Sequence, residues 1–215
     1  MGSTGGAGGT ILFTGDSITD CDRLADAHGL GYGYVDMVAR ALRERGTPGT
    51  VINTGVAGNR VGNLVERWQT DVLDHAPRVL SIAIGINDTL VAFFEGRPTP
   101  YRLFEERYVD LLDRGRAAGI DEVILVEPFF VEAVLPSLRW GEGYSFIRED
   151  LAPRQALVRD LAQRYGAAFV PVQSLMDEVV AVRGPTMVAA DGVHPTPLGH
   201  RLLADAWLAA YDSLR

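Results

Sequence analysis

Lysine is absent from this 215-residue sequence, and all 20 basic residues are arginine. A phosphate-gripping P-loop lysine and a Schiff-base lysine are therefore both excluded. Cysteine is almost absent: Cys21 stands alone, so neither an intrachain disulfide nor a zinc–cysteine cluster can form. Its plain role is that of a small buried hydrophobe. Positive charge is in deficit, with 28 acidic residues and a net charge of −8. That balance argues against nucleic acid or an anionic membrane as partner, because both need a basic face. Long apolar runs are missing too; stretches such as residues 79–86 are far too short to span a bilayer. No basic segment leads into an apolar one as in a secretory signal. A cytoplasmic protein is expected, with a removed leader left open. The histidines number four, His28, His75, His194 and His200. They show no metal-ligand spacing, so neither metal nor cofactor is expected.

What remains is the composition of a folded globular chain, 47% hydrophobic and 22% charged. The length favours one domain, taken as residues 10–215, with the glycine-rich residues 1–9 as a disordered lead-in. Short apolar runs alternate with amphipathic stretches. Strands are expected at 11–14, 51–53, 79–84, 122–126 and 168–171. Helices are expected at 34–45, 61–75, 100–118, 145–165 and 197–214 from apolar spacing and end signals. Thr99 is a candidate cap for the third, and Thr196 for the last. Pro153 should kink or split the fourth. Residues 129–143 fit neither period and read as a long loop. The alternation predicts α/β architecture: a five-stranded parallel sheet in a three-layer α/β/α sandwich, flavodoxin-like in form.

In such sheets ligands bind beyond the carboxyl ends of the strands. Gly15-Asp16-Ser17 follows the first strand, residues 53–59 follow the second and Gly85-Ile86-Asn87-Asp88 follows the third. Asp191-Gly192-Val193-His194-Pro195 precedes the last helix. Together they offer a hydroxyl, an imidazole, a carboxylate, glycine amides and a carboxamide, the inventory for acyl transfer by a serine nucleophile. Asp191 lies three residues before His194, close enough to hold one ring nitrogen while the other faces Ser17. Each residue has a plainer role as well. Ser17 could cap a helix, Gly58 could be a turn glycine and Asn87 a turn former. Asp16 and Asp88 read as turn-stabilising or substrate-lining neighbours. His75 reads as a helix-end residue, His28 as a surface-loop residue and His200 as structural.

Four blocks in this order, carrying Ser17, Gly58, Asn87 and His194, resemble the SGNH (GDSL-type) serine esterase superfamily from residue 11 to about 200. The resemblance implies the SGNH hydrolase fold and a triad of Ser17, His194 and Asp191. It also implies an oxyanion hole made by the Ser17 and Gly58 amides and the Asn87 side chain. Residues 15–23 (GDSITDCDR), 31–35 (GYGYV), 53–60 (NTGVAGNR), Arg67-Trp68 and 84–88 (IGIND) are similar to the cytoplasmic carbohydrate acetylesterases, notably serine acetylxylan esterases. That branch places a bulky aromatic just before the catalytic Asp, where this chain has Ala190. Trp140 or Tyr144 could supply an aromatic wall instead, with Arg139 nearby. The expected partner is a small ester, an acetylated sugar; a homo-oligomer is allowed. The alternative on the same triad is a lysophospholipase or thioesterase of longer acyl esters. The remote alternative is a non-catalytic flavodoxin-like binding module.

Overall fold

The computed structural model describes residues 8–97, 99–132 and 144–214. Five strands, β1 (Thr10–Gly15), β2 (Thr50–Asn53), β3 (Val79–Ala83), β4 (Glu122–Val126) and β5 (Ala168–Val170), form one sheet in the order β2-β1-β3-β4-β5. Every pairing is parallel. Side chains alternate faces along a strand, and here both faces are covered. Ile11 and Phe13 of β1 enter one core cluster while Leu12 between them enters the other. In β3, Val79 and Ala83 go one way, Leu80 and Ile82 the other. This is why the strands read as continuous apolar runs.

The helices are α1 (Ser17–Asp20), α2 (Tyr34–Glu44), α3 (Val61–Asp71), α4 (Ile86–Glu95), α5 (Tyr101–Ala117), α6 (Tyr144–Tyr165), α7 (Val172–Arg183) and α8 (Pro197–Asp212). Helices α2, α7 and α8 cover one face; α3, α5 and the second half of α6 cover the other. Trp207 of α8 is fully buried against Phe13 and donates its indole N–H to Ser81 Oγ at 2.9 Å, so the one polar residue inside β3 is satisfied. No helix among the described residues is long and apolar enough to cross a membrane.

The three-layer α/β sandwich matches the expectation, with local differences. Pro153 lies inside a continuous α6 and does not split it. Pro100, not Thr99, occupies the cap of α5. The Thr99 carbonyl instead accepts from buried Arg154 at 2.7 Å, fastening α6 to the start of α5. Thr196 does cap α8, accepting from the Gly199 amide. Helices α1, α4 and α7 are additional to the expected elements.

Because β1 pairs with β2 on one side and β3 on the other, the chain leaves these neighbours in opposite directions. A crevice opens there at the carboxyl ends of β1 and β3. Buried Asn53, ending β2, ties that rim together. Its Nδ2 donates to the Thr19 and Leu30 carbonyls at 2.7 and 2.8 Å, and its Oδ1 accepts from the Gly55 amide at 2.9 Å. Asn53→Ala leaves these buried groups without partners and should cost roughly 2–4 kcal/mol of stability. Urea unfolding measures it, and a loss under about 0.5 kcal/mol, the level of an ordinary surface change, would contradict this role.

Candidate active site

Ser17 is the first residue of α1, directly beyond β1. Capping falls not to Ser17 but to Asp16, whose Oδ1 accepts from the Ile18 amide at 3.0 Å. The Ser17 hydroxyl is thereby left to face outward. Gly15 is required just before it, since a Cβ there would overlap the Ala83 carbonyl and the Thr19 hydroxyl.

The Ser17 Oγ lies 3.0 Å from His194 Nε2, across 177 residues of sequence. His194 Nδ1 lies 2.6 Å from Asp191 Oδ2. The second carboxylate oxygen, Oδ1, accepts from the Val193 and His194 amides at 2.9 and 2.7 Å. Partial burial would raise the Asp191 pKa, but the His194 ring and these amides outweigh it and hold the carboxyl at about 2. Asp191 is thus ionised near neutrality and can only accept. Nδ1 must then carry the proton, and the Nε2 lone pair faces the Ser17 hydroxyl. The hydrogen bond from Asp191 raises the His194 pKa above its ordinary value, burial opposes it, and the charges of Asp191 and Asp16 add to the rise. Gly192, at φ +85°, lets the loop turn between the two residues. Its carbonyl accepts from the Val131 amide at 2.9 Å, anchoring the loop beyond β4.

Asn87 is the second residue of α4, and its Nδ2 donates to the Asn59 carbonyl at 3.0 Å. The carboxamide therefore sits against the residue after Gly58 and keeps a second N–H. Asp88 Oδ2 accepts from the Val61 amide at 3.0 Å, pinning the turn after β3 to the start of α3. Gly58 is exposed at φ +77°, with open space where a Cβ would stand. Glycine is needed there for its left-handed backbone.

Burial pushes the Asp16 carboxyl up to about 7, and the Asp88 charge adds to the rise, against the Ile18 amide and the charge of His194. Burial likewise raises Asp88, against its Val61 bond. Above these groups opens a cleft of about 300 Å³, lined by Ser17, His194, Asp20, Cys21, Asp22, Ala57, Pro195 and His200. Among the described residues no group of three or more His, Cys, Asp or Glu is placed to hold a metal ion.

The profile of the GDSL-like lipase/acylhydrolase family matches residues 13–202. The chain belongs to that family. A curated relative, the acetylxylan esterase of Geobacillus stearothermophilus, is 32% identical over 94% of both chains. The crystal structure of an acetylxylan esterase from that organism superposes with a TM-score of 0.83 at 30% identity, covering 96% of this chain and 95% of the other. An arylesterase of Vibrio mimicus is 24% identical over 87% of this chain and 83% of its own. This GDSL-family chain is accordingly a carboxylic ester hydrolase, not a non-catalytic module.

For this acylhydrolase, the structure brings Ser17, His194 and Asp191 into one hydrogen-bonded row and places Asn87 beside the Gly58–Asn59 loop. His28 and His75 are exposed and do not line the cleft. His200, expected to be structural, does line it. Its Nδ1 accepts from the Tyr34 amide at 3.2 Å, and its Nε2 approaches Cys21 Sγ at 3.6 Å. Burial holds it neutral, with its pKa lowered to about 4. Cys21 is half-buried at the cleft rather than a core hydrophobe. Trp140, Arg139 and the Tyr144 side chain lie outside the described residues, while Ala190 is exposed. Arg67 is a positioning residue the motifs leave unassigned: its guanidinium bonds the Gly15 and Thr54 carbonyls at 3.1 and 2.6 Å and Asn59 Oδ1 at 2.8 Å.

The buried Asp16 has a consequence for stability. Unfolded, its carboxyl ionises near 3.8; folded, near 7. Across that window the unfolded chain loses the proton first, so stability from this group falls as pH rises and then levels off. Asp16→Asn keeps the cap and removes the buried charge. It should raise unfolding free energy by roughly 2–4 kcal/mol at pH 8 relative to its effect at pH 4. An equal increment at both pH values would rule out a buried, reluctantly ionised carboxyl.

Proposed function

We propose that this esterase hydrolyses acetyl esters of carbohydrates through an acyl-enzyme on Ser17. The observation that carries the mechanism is the row Ser17 Oγ–His194 Nε2–Nδ1–Asp191, with distances of 3.0 and 2.6 Å. Ser17 attacks the ester carbonyl as His194 Nε2 takes its proton. Asp191 holds the ring tautomer and stabilises the imidazolium. The oxyanion accepts from the Ser17 and Gly58 amides and from the free N–H of Asn87. His194 then returns the proton to the departing alcohol oxygen, and water repeats the cycle to release acetate. Ser17→Ala should lower kcat on the order of 10⁴–10⁶-fold while the fold persists. Because a neutral His194 is needed, kcat/KM should fall on acidification with a midpoint above the ordinary histidine value of 6.5. Near-normal turnover by folded Ser17→Ala, or a flat rate from pH 5 to 8, would sink the mechanism.

A short acyl group is supported by likeness to a relative named for acetylxylan. The void next to the site, lined by Asp16, Ile18, Ile86, Glu127 and Phe129 among others, measures only about 20 Å³ and offers no room for a fatty chain. A sugar leaving group is supported by likeness to a relative named for acetylxylan and by the Asp and His side chains that line the cleft. The sequence of Ala190 removes one aromatic platform, so the leaving group is assigned to acetylated sugars broadly. Acetyl, butyryl and octanoyl esters of one alcohol test the acyl assignment. Falling kcat/KM along that series is expected; a rise toward octanoyl would replace this reading with a lysophospholipase or thioesterase.

A further inference from the structure

The cleft above Ser17 is bordered by His194, Pro195 and His200 and, opposite, by Asp20, Cys21, Asp22 and Ala57, but not by Gly58 or Asn87. On the mechanism proposed above, on which this inference rests, the departing oxygen must reach His194 Nε2 to take a proton. The acyl oxygen points instead toward the Gly58 and Asn87 donors. The cleft on the His194 side is therefore where the alcohol portion of the ester lies.

The charges lining that cleft are unequal in their engagement. The Asp20 carboxylate is occupied: it accepts from the Ala57 amide at 3.1 Å and the Arg23 amide at 3.3 Å, and it faces the Arg23 guanidinium. Arg23 is itself committed, its Nε donating to the Gly55 carbonyl at 2.5 Å. His200 is uncharged, with both ring nitrogens occupied by Tyr34 and Cys21. Asp22 differs. It is exposed on the lip of the cleft, and its carboxylate makes no hydrogen bond or ion pair among the described residues. Among the described residues no arginine lines the cleft to balance it.

The backbone puts that carboxylate where it is. Cys21 and Asp22 are consecutive non-glycine residues in left-handed conformation, at φ 41° and 61°. The chain turns there straight out of α1, so the side chain five positions after Ser17 comes back to the cleft Ser17 opens into. Asp and Asn tolerate this conformation better than other side chains do.

We propose that Asp22 is a specificity residue for the alcohol part of the substrate: its unpaired carboxylate accepts hydrogen bonds from the hydroxyls of a neutral polyol and repels leaving groups that carry phosphate or sulfonate. A carboxylate is an acceptor only, so it suits an alcohol with several donors. An anion in the same cleft meets an uncompensated negative charge. Bare acyl-transfer chemistry does not distinguish these alcohols; Asp22 does.

Three acetyl esters test this on the full chain: 4-nitrophenyl acetate, 4-acetoxybenzenesulfonate and 3-acetoxy-N,N,N-trimethylanilinium. They share the acyl group and differ in leaving-group charge. Asp22→Asn and Asp22→Gly both fit the left-handed backbone, so neither variant depends on a strained turn. With kcat/KM normalised to the neutral ester, the anionic ester should gain about 3- to 10-fold in both variants and the cationic ester should lose a similar factor. The shift should shrink toward ~1 M salt, where the screening length is about 3 Å. With an acetylated methyl glycoside, KM should rise in Asp22→Gly and rise less in Asp22→Asn, which keeps a carbonyl acceptor. If both variants hold the wild-type anionic-to-cationic ratio, Asp22 has no such role and the proposal is overturned, with the triad mechanism untouched. A wild-type chain that turns over none of the three esters would overturn the underlying reading as well.

Discussion

The guanidinium of Arg67 is the joint on which the site's geometry depends. It reaches from α3 to the last carbonyl of β1, to the Thr54 carbonyl beyond β2 and to the Asn59 side chain, and Asp71 at 2.6 Å holds it in place. A planar fork with several donors can serve that many acceptors at once; a lysine ammonium could not do so in one plane. Two further contacts extend the joint. The Val56 amide donates to the Gly15 carbonyl, and Asn87 donates to the Asn59 carbonyl. The loops after β1, β2 and β3 thus form one connected rim. The segments carrying Ser17, Gly58 and Asn87 are thereby tied to one another, as the proposed oxyanion hole requires.

Against this rim, the His194 loop is anchored independently through Gly192 to Val131 and through Thr196 to Met187. Ser17 and His194, the proposed nucleophile and base, therefore come from separately fixed supports and meet at 3.0 Å. The arrangement carries a cost in buried charge. Asp16 and Asp88 both lie fully inside, with pKa values pushed up by burial. Each holds a backbone amide at a helix start, Ile18 or Val61. Local stability is traded here for fixed loop geometry, a common feature of functional sites.

Much of this was legible in the sequence. The sheet could be read because strands buried on both faces appear as apolar runs, and the motif residues because Ser17, Gly58 and Asn87 follow strand ends while Asp191 and His194 precede the last helix. Less visible were elements whose signal is short or overlaps a motif. Helix α1 has four residues and rests on the Asp16 cap. Helix α4 begins inside Ile86-Asn87-Asp88, so a segment that reads as a polar turn is helical from its first residue. Helix α7 does carry apolar residues at 172, 176, 179 and 180, a helical spacing. Arg67 and Asn53 could not be read, because they bond backbone carbonyls far away in sequence, nor could Thr99, whose own carbonyl accepts from the distant Arg154. Pro153 misleads for a related reason: packing of α6 against α4 and α5 outweighs a local propensity. His200 and Asp22 reach the cleft only through the fold, one from α8 and one through left-handed backbone after α1.

The central claim is that the ester's acyl group passes through the Ser17 oxygen. Rapid acid quenching during turnover of an acetyl ester, followed by peptide mapping by mass spectrometry, tests it most directly. The account predicts one added acetyl group on the peptide bearing Ser17, transient in the wild-type chain and absent at every other residue. Steady turnover with no acetyl-Ser17 at any quench time, or with the adduct on another residue, would contradict it.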